Sequence, residues 1–145
     1  MQRIIYMATV LLLIKISIID YNQKIIPDRL NLSIALLGIF NLILNFENCK
    51  IYIVSAAITF AVFLFIAIIT NGGIGGGDIK LFTTLGFVFG PDILIIVAVT
   101  FALASIISIT MVMLKRINIK ESIALAPYIC TASIIIVLNN LLFIK

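Results

Sequence analysis

Six apolar runs separated by short polar breaks take up most of the chain, over residues 4–19, 30–46, 51–69, 79–89, 93–114 and 122–144. A helix needs about 20 mainly apolar residues to cross the hydrocarbon core of a bilayer, and most of these runs approach that length. Of the 145 residues, 63% are hydrophobic and 11% are charged, whereas a soluble domain carries about 25% charged residues. The mean hydropathy is +1.32, and so small a globule has too much surface for its volume to hide such an apolar excess. The sequence therefore predicts an all-α, polytopic integral membrane protein with six transmembrane helices. One domain covers residues 1–145, with no internal linker, and the lipid bilayer is its solvent.

The polar breaks add detail. The first run carries one charge, Lys15, near enough to its end to snorkel. No small-residue cleavage site follows it, so it reads as a retained span rather than a signal peptide. The fourth run is short and is stopped by Gly90-Pro91-Asp92. It can span only if the glycine-rich segment before it lies partly at membrane depth, covered by protein or a water-filled cavity. The formal charge of +4 is spread singly or in pairs between apolar runs, which argues for topology-setting loop charges and against a nucleic-acid partner. One side would hold Lys24, Arg29, Lys80, Lys115, Arg116 and Lys120, with Lys15 nearby. The other would hold Arg3, Lys50 and Lys145. The richer side should be cytoplasmic, which puts both termini outside a cytoplasmic membrane.

There is no histidine, and the two cysteines, Cys49 and Cys130, form no CxxC pair. A zinc site or a serine–histidine arrangement therefore has no ligands or base to use. The acids are then the candidates to weigh, since an ionisable residue at the edge of an apolar helix is costly. Glu47 and Glu121 lie in polar loops and read as solvated. Asp92, between Gly-Pro and an apolar run, reads as a helix N-cap. Asp28 follows Pro27 and either caps the second helix or belongs to a site.

Asp20 and Asp78 differ in kind. Asp20 closes the first span, where a negative charge opposes the helix dipole. Asp78 opens the fourth, behind Gly75, Gly76 and Gly77, a run that makes sense where another backbone must approach closely. Between the two acids the chain crosses and returns, so both fall at one membrane face. Two carboxylates brought together share a proton. The ionised member can then draw a proton from an attacking water while the other polarises the scissile carbonyl. The handling of peptide bonds by such an aspartate dyad needs no metal, cofactor or covalent intermediate.

These residues also carry a resemblance. Gly75-Gly76-Gly77-Asp78-Ile79-Lys80 resembles the GxGDxK motif of the type IV prepilin peptidases. Asp20 with Lys24-Ile25-Ile26-Pro27-Asp28 is similar to that family's other aspartate segment, and Ala126-Pro127-Tyr128 to the Pro-Phe/Tyr element of its last helix. The resemblance implies an aspartic endopeptidase that removes the short basic leader of prepilins or pseudopilins, substrates with a hydrophobic helix, at the cytoplasmic membrane face. Asp20 and Asp78 would be the catalytic pair. Because the chain starts almost at its first span, it resembles the short, peptidase-only type of Flp/Tad pilus and archaeal systems, from which N-methylation is not expected. Asp28 departs from the family, which commonly has Asn there, and places a third acid near the site.

Some roles stay open on sequence alone. Lys80 either holds Asp78 ionised or anchors its helix at the headgroups. Pro27 rigidifies the turn into the second span and is a candidate to shape the site. Pro127 either kinks the sixth helix or starts it. Two other functions compete, a presenilin-like protease cutting within membrane helices and a small ion-coupled carrier using the paired acids as ligands. Oligomeric state and the particular pilin are not encoded in any motif.

Overall fold

A computed structural model describes residues 1–114 and 123–143. The described residues form six α-helices and no strand: α1 (Gln2–Gln23), α2 (Asp28–Leu44), α3 (Cys49–Ile69), α4 (Gly76–Phe89), α5 (Ile93–Met113) and α6 (Ala126–Phe143). Helices satisfy their backbone groups internally, which lets so apolar a chain shed water. The breaks follow local chemistry. α1 ends where Lys24 turns left-handed (φ 54°) and its N–H returns to the Asp20 carbonyl at 2.8 Å. Pro27, extended at φ −67°, ψ 123°, precedes α2, and its carbonyl accepts the N–H groups of Leu30 and Asn31. α4 stops at Gly90, whose φ of +56° suits glycine.

α4 is the hub. Its Leu81, Phe82, Leu85 and Val88 are fully buried, and it packs between α2 and α3 while touching α1 and α5. The Phe82 ring stacks on Phe63 of α3 with centroids 4.4 Å apart. A Cβ at Gly86 would come within 2.7 Å of Ala56 Cα, so these two helices cross as closely as small residues allow. α6 lies along α1 and α5. The outward face is apolar as well: Leu11, Ile18, Leu36, Phe65, Leu94 and Ile106 are all exposed. An apolar exterior of this extent is stable against lipid, not water.

Among the described residues three stretches are long and apolar enough to cross a membrane, Gln2–Gln23, Phe46–Ile69 and Gly76–Met113, and Ala126–Leu142 is a shorter apolar helix. The third includes both α4 and α5, with a 3-10 turn at Gly90–Asp92 between them. The chain is thus an all-helical membrane protein. α4 begins at Gly76, so part of the glycine run is the helix's own first turn, earlier than the apolar pattern indicates. Even so, its 14 residues extend only about 21 Å. The loop charges Lys115, Arg116, Lys120 and Glu121, the terminal Lys145, and the expected ends of the last run at Ser122 and Ile144 lie outside the described residues.

One expectation fails in its detail. Asp92 stands at the N-cap position of α5 but makes no side-chain cap bond. Its own backbone is already helical (φ −64°, ψ −15°), so the carboxylate does not fold over the helix end. It reaches across to α6 instead, where Oδ2 accepts from Asn140 Nδ2 at 3.1 Å.

Candidate active site

Asp20 occupies the last turn of α1 with only 5% of its surface exposed. Its Oδ2 accepts the backbone N–H of Ala126, the first residue of α6, at 3.0 Å. A charge set unfavourably at the end of its own helix therefore lies against the N-terminus of another, where unpaired N–H groups favour an anion. Ser17, one turn earlier, divides its hydroxyl between the Leu13 carbonyl at 2.7 Å and the Ala126 carbonyl at 3.0 Å. Two α1 side chains thus hold both polar groups of Ala126. Pro127 comes next, in the first turn of α6, where its missing N–H removes no helical bond. It is a helix-start proline.

Asp78 is the third residue of α4. Gly75 caps that helix in an extended conformation, and its carbonyl accepts the Asp78 N–H at 3.0 Å. The Asp78 carboxylate folds back towards the Gly75 backbone N–H, and a Cβ at position 75 would lie 3.1 Å from Oδ2. Gly77 has a different neighbour: a Cβ there would meet Ile26 Cβ at 3.1 Å. Gly76 meets nothing within 4 Å. None of the three has positive φ. The glycines therefore supply space rather than unusual dihedrals. Two of them make room for the chain's own Asp78 and Ile26, and only Gly76 borders open space as the sequence reading expects of all three.

These pieces enclose one cavity of about 340 Å³, within the usual range for small binding sites (about 300–1,000 Å³). The end of α1 contributes Asp20 and Lys24, the following connection Ile25 and Ile26, and α2 Asp28. Gly75, Gly76, Gly77, Asp78 and Lys80 form the opposite wall. The fold thus brings Asp20 and Asp78 to the same cavity. Pro27 and Pro127 are not on its wall. Pro27 precedes α2, whose Asp28 is on the wall, whereas Pro127 stands in the first turn of α6, which meets the site only through the Ala126 N–H on Asp20.

Asp28 and Lys80 correct the sequence reading. Asp28 lies inside the first turn of α2, where Pro27 holds the cap position, so Asp28 does not cap. Its Oδ1 instead pairs with Lys80 Nζ at 2.9 Å. The ion pair of the Lys80 ammonium is thus with Asp28, on the wall of the cavity that Asp78 also lines. With side chains 59% and 76% exposed, the pair is a rim contact whose contribution to stability is about 0–1 kcal/mol. Sequence reasoning assigned no site role to Lys24, Ser17 or the Ala126 backbone. Lys24 had a signal, four residues after Asp20. Ala126 had only its place in the Ala126-Pro127-Tyr128 element, because its contact is through backbone atoms 106 residues away. Among the described residues no three Cys, Asp or Glu side chains gather as a metal would require.

Residues 7–114 match the type IV leader peptidase family. The chain is 32% identical over 132 residues to the prepilin leader peptidase/N-methyltransferase of Bacillus subtilis (strain 168), a match covering 86% of this chain and 51% of that protein. It is 31% identical over 86 residues to prepilin peptidase EppA of Methanocaldococcus jannaschii, covering 59% of this chain and 24% of that one. The chain thus spans about half the length of the first relative and about a quarter of the second. No solved structure is significantly similar.

Proposed function

Since the chain belongs to the type IV leader peptidase family, we propose that it is a membrane-embedded aspartic endopeptidase that removes the leader peptide from prepilin or pseudopilin substrates. The observation that carries this reading is the shared cavity, with Asp20 entering from the end of α1 and Asp78 from the start of α4. One carboxylate, ionised, takes a proton from a water as that water attacks the scissile carbonyl. The other, protonated, hydrogen-bonds and polarises the carbonyl, and the leaving amine then receives a proton. The Ala126 N–H fixes the rotamer of Asp20, and Gly75 leaves the space into which Asp78 turns. Such pre-set geometry matters because small misplacements of reacting groups are costly.

In this reading all six helices span as a single domain, and the cavity lies at the cytoplasmic face with both termini outside. Lys24 and Lys80 on the cavity wall, with Arg29 next to Asp28 in sequence, support that orientation. The Asp28–Lys80 pair shapes the rim, and Gly76 is where an extended substrate backbone has room to approach.

The test is to incubate the purified chain in detergent or proteoliposomes with a full-length prepilin and to measure the mass of the product's new N-terminus. Loss of the leader with the wild type, and none with Asp20→Asn or Asp78→Asn folded to the same melting temperature, is expected. Cleavage by either variant at the wild-type rate would overturn the dyad.

A further inference from the structure

The Asp28–Lys80 pair has a second cavity on its other side. A groove of about 400 Å³ runs between α2, α3 and α4, with Asp28 and Lys80 at one end and Leu32, Ala35, Phe60 and Thr83 along its walls. From Asp28 to Ala35 it follows α2 for about 10 Å. The same two side chains therefore border both the carboxylate cavity and this groove, which makes the two spaces neighbours across one ion pair. Besides that pair its polar side chains are Thr83, Thr84 and Asn31, and the two threonine hydroxyls are bonded within the chain. Asn31, only 4% exposed, lines it. One end of its carboxamide is held by Thr84 Oγ1 at 2.8 Å, and the other end has no partner among the described residues.

We infer that this α2–α3–α4 groove is the docking site for the hydrophobic helix of the substrate. The inference rests on the peptidase reading and names the surface that presents the peptide to the dyad. An apolar helix lying along Leu32, Ala35 and Phe60 brings its N-terminal end to the Asp28–Lys80 pair. The chain preceding that end then passes over the pair into the cavity of Asp20 and Asp78. The free end of the Asn31 amide decides between occupants. A peptide backbone, where a helix frays, offers N–H and C=O groups that pair with an amide. An acyl chain offers none and leaves a buried polar group unsatisfied. Continuity with the carboxylate cavity sets this groove apart from the one lined by Leu11, Ile134 and Leu138 between α1 and α6, which reaches neither aspartate.

The experiment uses the full chain in liposomes with a full-length prepilin. A photo-crosslinking amino acid is placed at Leu32 or Ala35, and at Ile106 on the exposed face of α5 as control. Cross-links to the prepilin from 32 and 35, and none from 106, are expected. In parallel, Ala35→Trp fills the groove. The preference in kcat/KM for full-length prepilin over a soluble peptide lacking the hydrophobic helix should then fall about tenfold, mainly through KM, as loss of one good packing contact implies. Cross-links from 32 and 35 to lipid or to a second copy of this chain only, or an unchanged preference in Ala35→Trp, would overturn the groove while leaving the peptidase standing. Absence of cleavage by the wild-type chain would instead sink the peptidase reading itself.

Discussion

At the end of the bundle where α1 begins, polar side chains are occupied with one another. Gln2 Nε2 donates to both Tyr6 and Tyr52 at 3.0 Å, Asp92 accepts from Asn140, and Asn41 donates to the Val88 carbonyl at 3.0 Å. At the end where α1 finishes, Asp20 and Asp78 line a shared space, and the contact assigned to Asp20 uses one of its oxygens. Both ends contain an aspartate at the start of a helix, Asp92 before α5 and Asp78 in α4. One meets a side-chain amide; the other meets backbone, glycine and an open cavity. A buried polar group that is fully paired stabilises a fold. One left facing a cavity is available for chemistry.

Substitutions at the two ends should therefore part company. Asp20→Asn and Asp78→Asn should each lower the cleavage rate by at least about a hundredfold, the scale of acid–base catalysis. Asp92→Asn should stay within a few-fold of wild type, since an amide can still bond Asn140; initial rates on full-length prepilin decide it. Equal losses at both ends would break the comparison. Next in size, Gly77→Val should push against Ile26 and displace the connection carrying Lys24 and Asp28. About 1–3 kcal/mol of stability should go with it, read as a lower melting temperature in detergent. Gly76→Ala, which meets nothing, should melt close to wild type.

Ser17→Ala sharpens the point from the α6 side. It removes a donor to the Ala126 carbonyl, a bond contributing about 0.5–1.5 kcal/mol. The expected result is a few-fold drop in kcat with KM unchanged, restored by Ser17→Thr. A rise in KM alone would place Ser17 outside the positioning of Asp20. Smallest of all, Asp28→Asn should cost less than about 1 kcal/mol of stability. Raising the salt should shrink the difference, measured as melting temperatures in low and high ionic strength.

Much of the helix pattern was legible because apolar run length encodes it directly, and residues such as Pro27 and Gly90 mark the breaks. That Asp20 and Asp78 would fall at one end of the bundle was legible too, since crossing parity needs only the order of runs, and there they border one cavity. The partners of the acids were not. Asp92 follows Gly-Pro as a capping residue would, but its helical backbone turns the side chain to Asn140. Asp28 and Lys80 are 52 residues apart, and their pairing depends on how α2 leans on α4, which no local pattern records. The contact between Asp20 and Ala126 is with a backbone N–H and leaves no mark on residue identity. The glycine run by itself suggests room for a substrate, whereas Gly75 and Gly77 make room for neighbours within the chain.

Paired action of the two carboxylates is tested most directly by a double-mutant cycle on leader cleavage, using wild type, Asp20→Asn, Asp78→Asn and the double variant under one set of conditions. If they work on one water and one carbonyl, the double variant should be no slower than the slower single one, because groups acting as a unit are lost together. Losses that multiply in the double variant would contradict it.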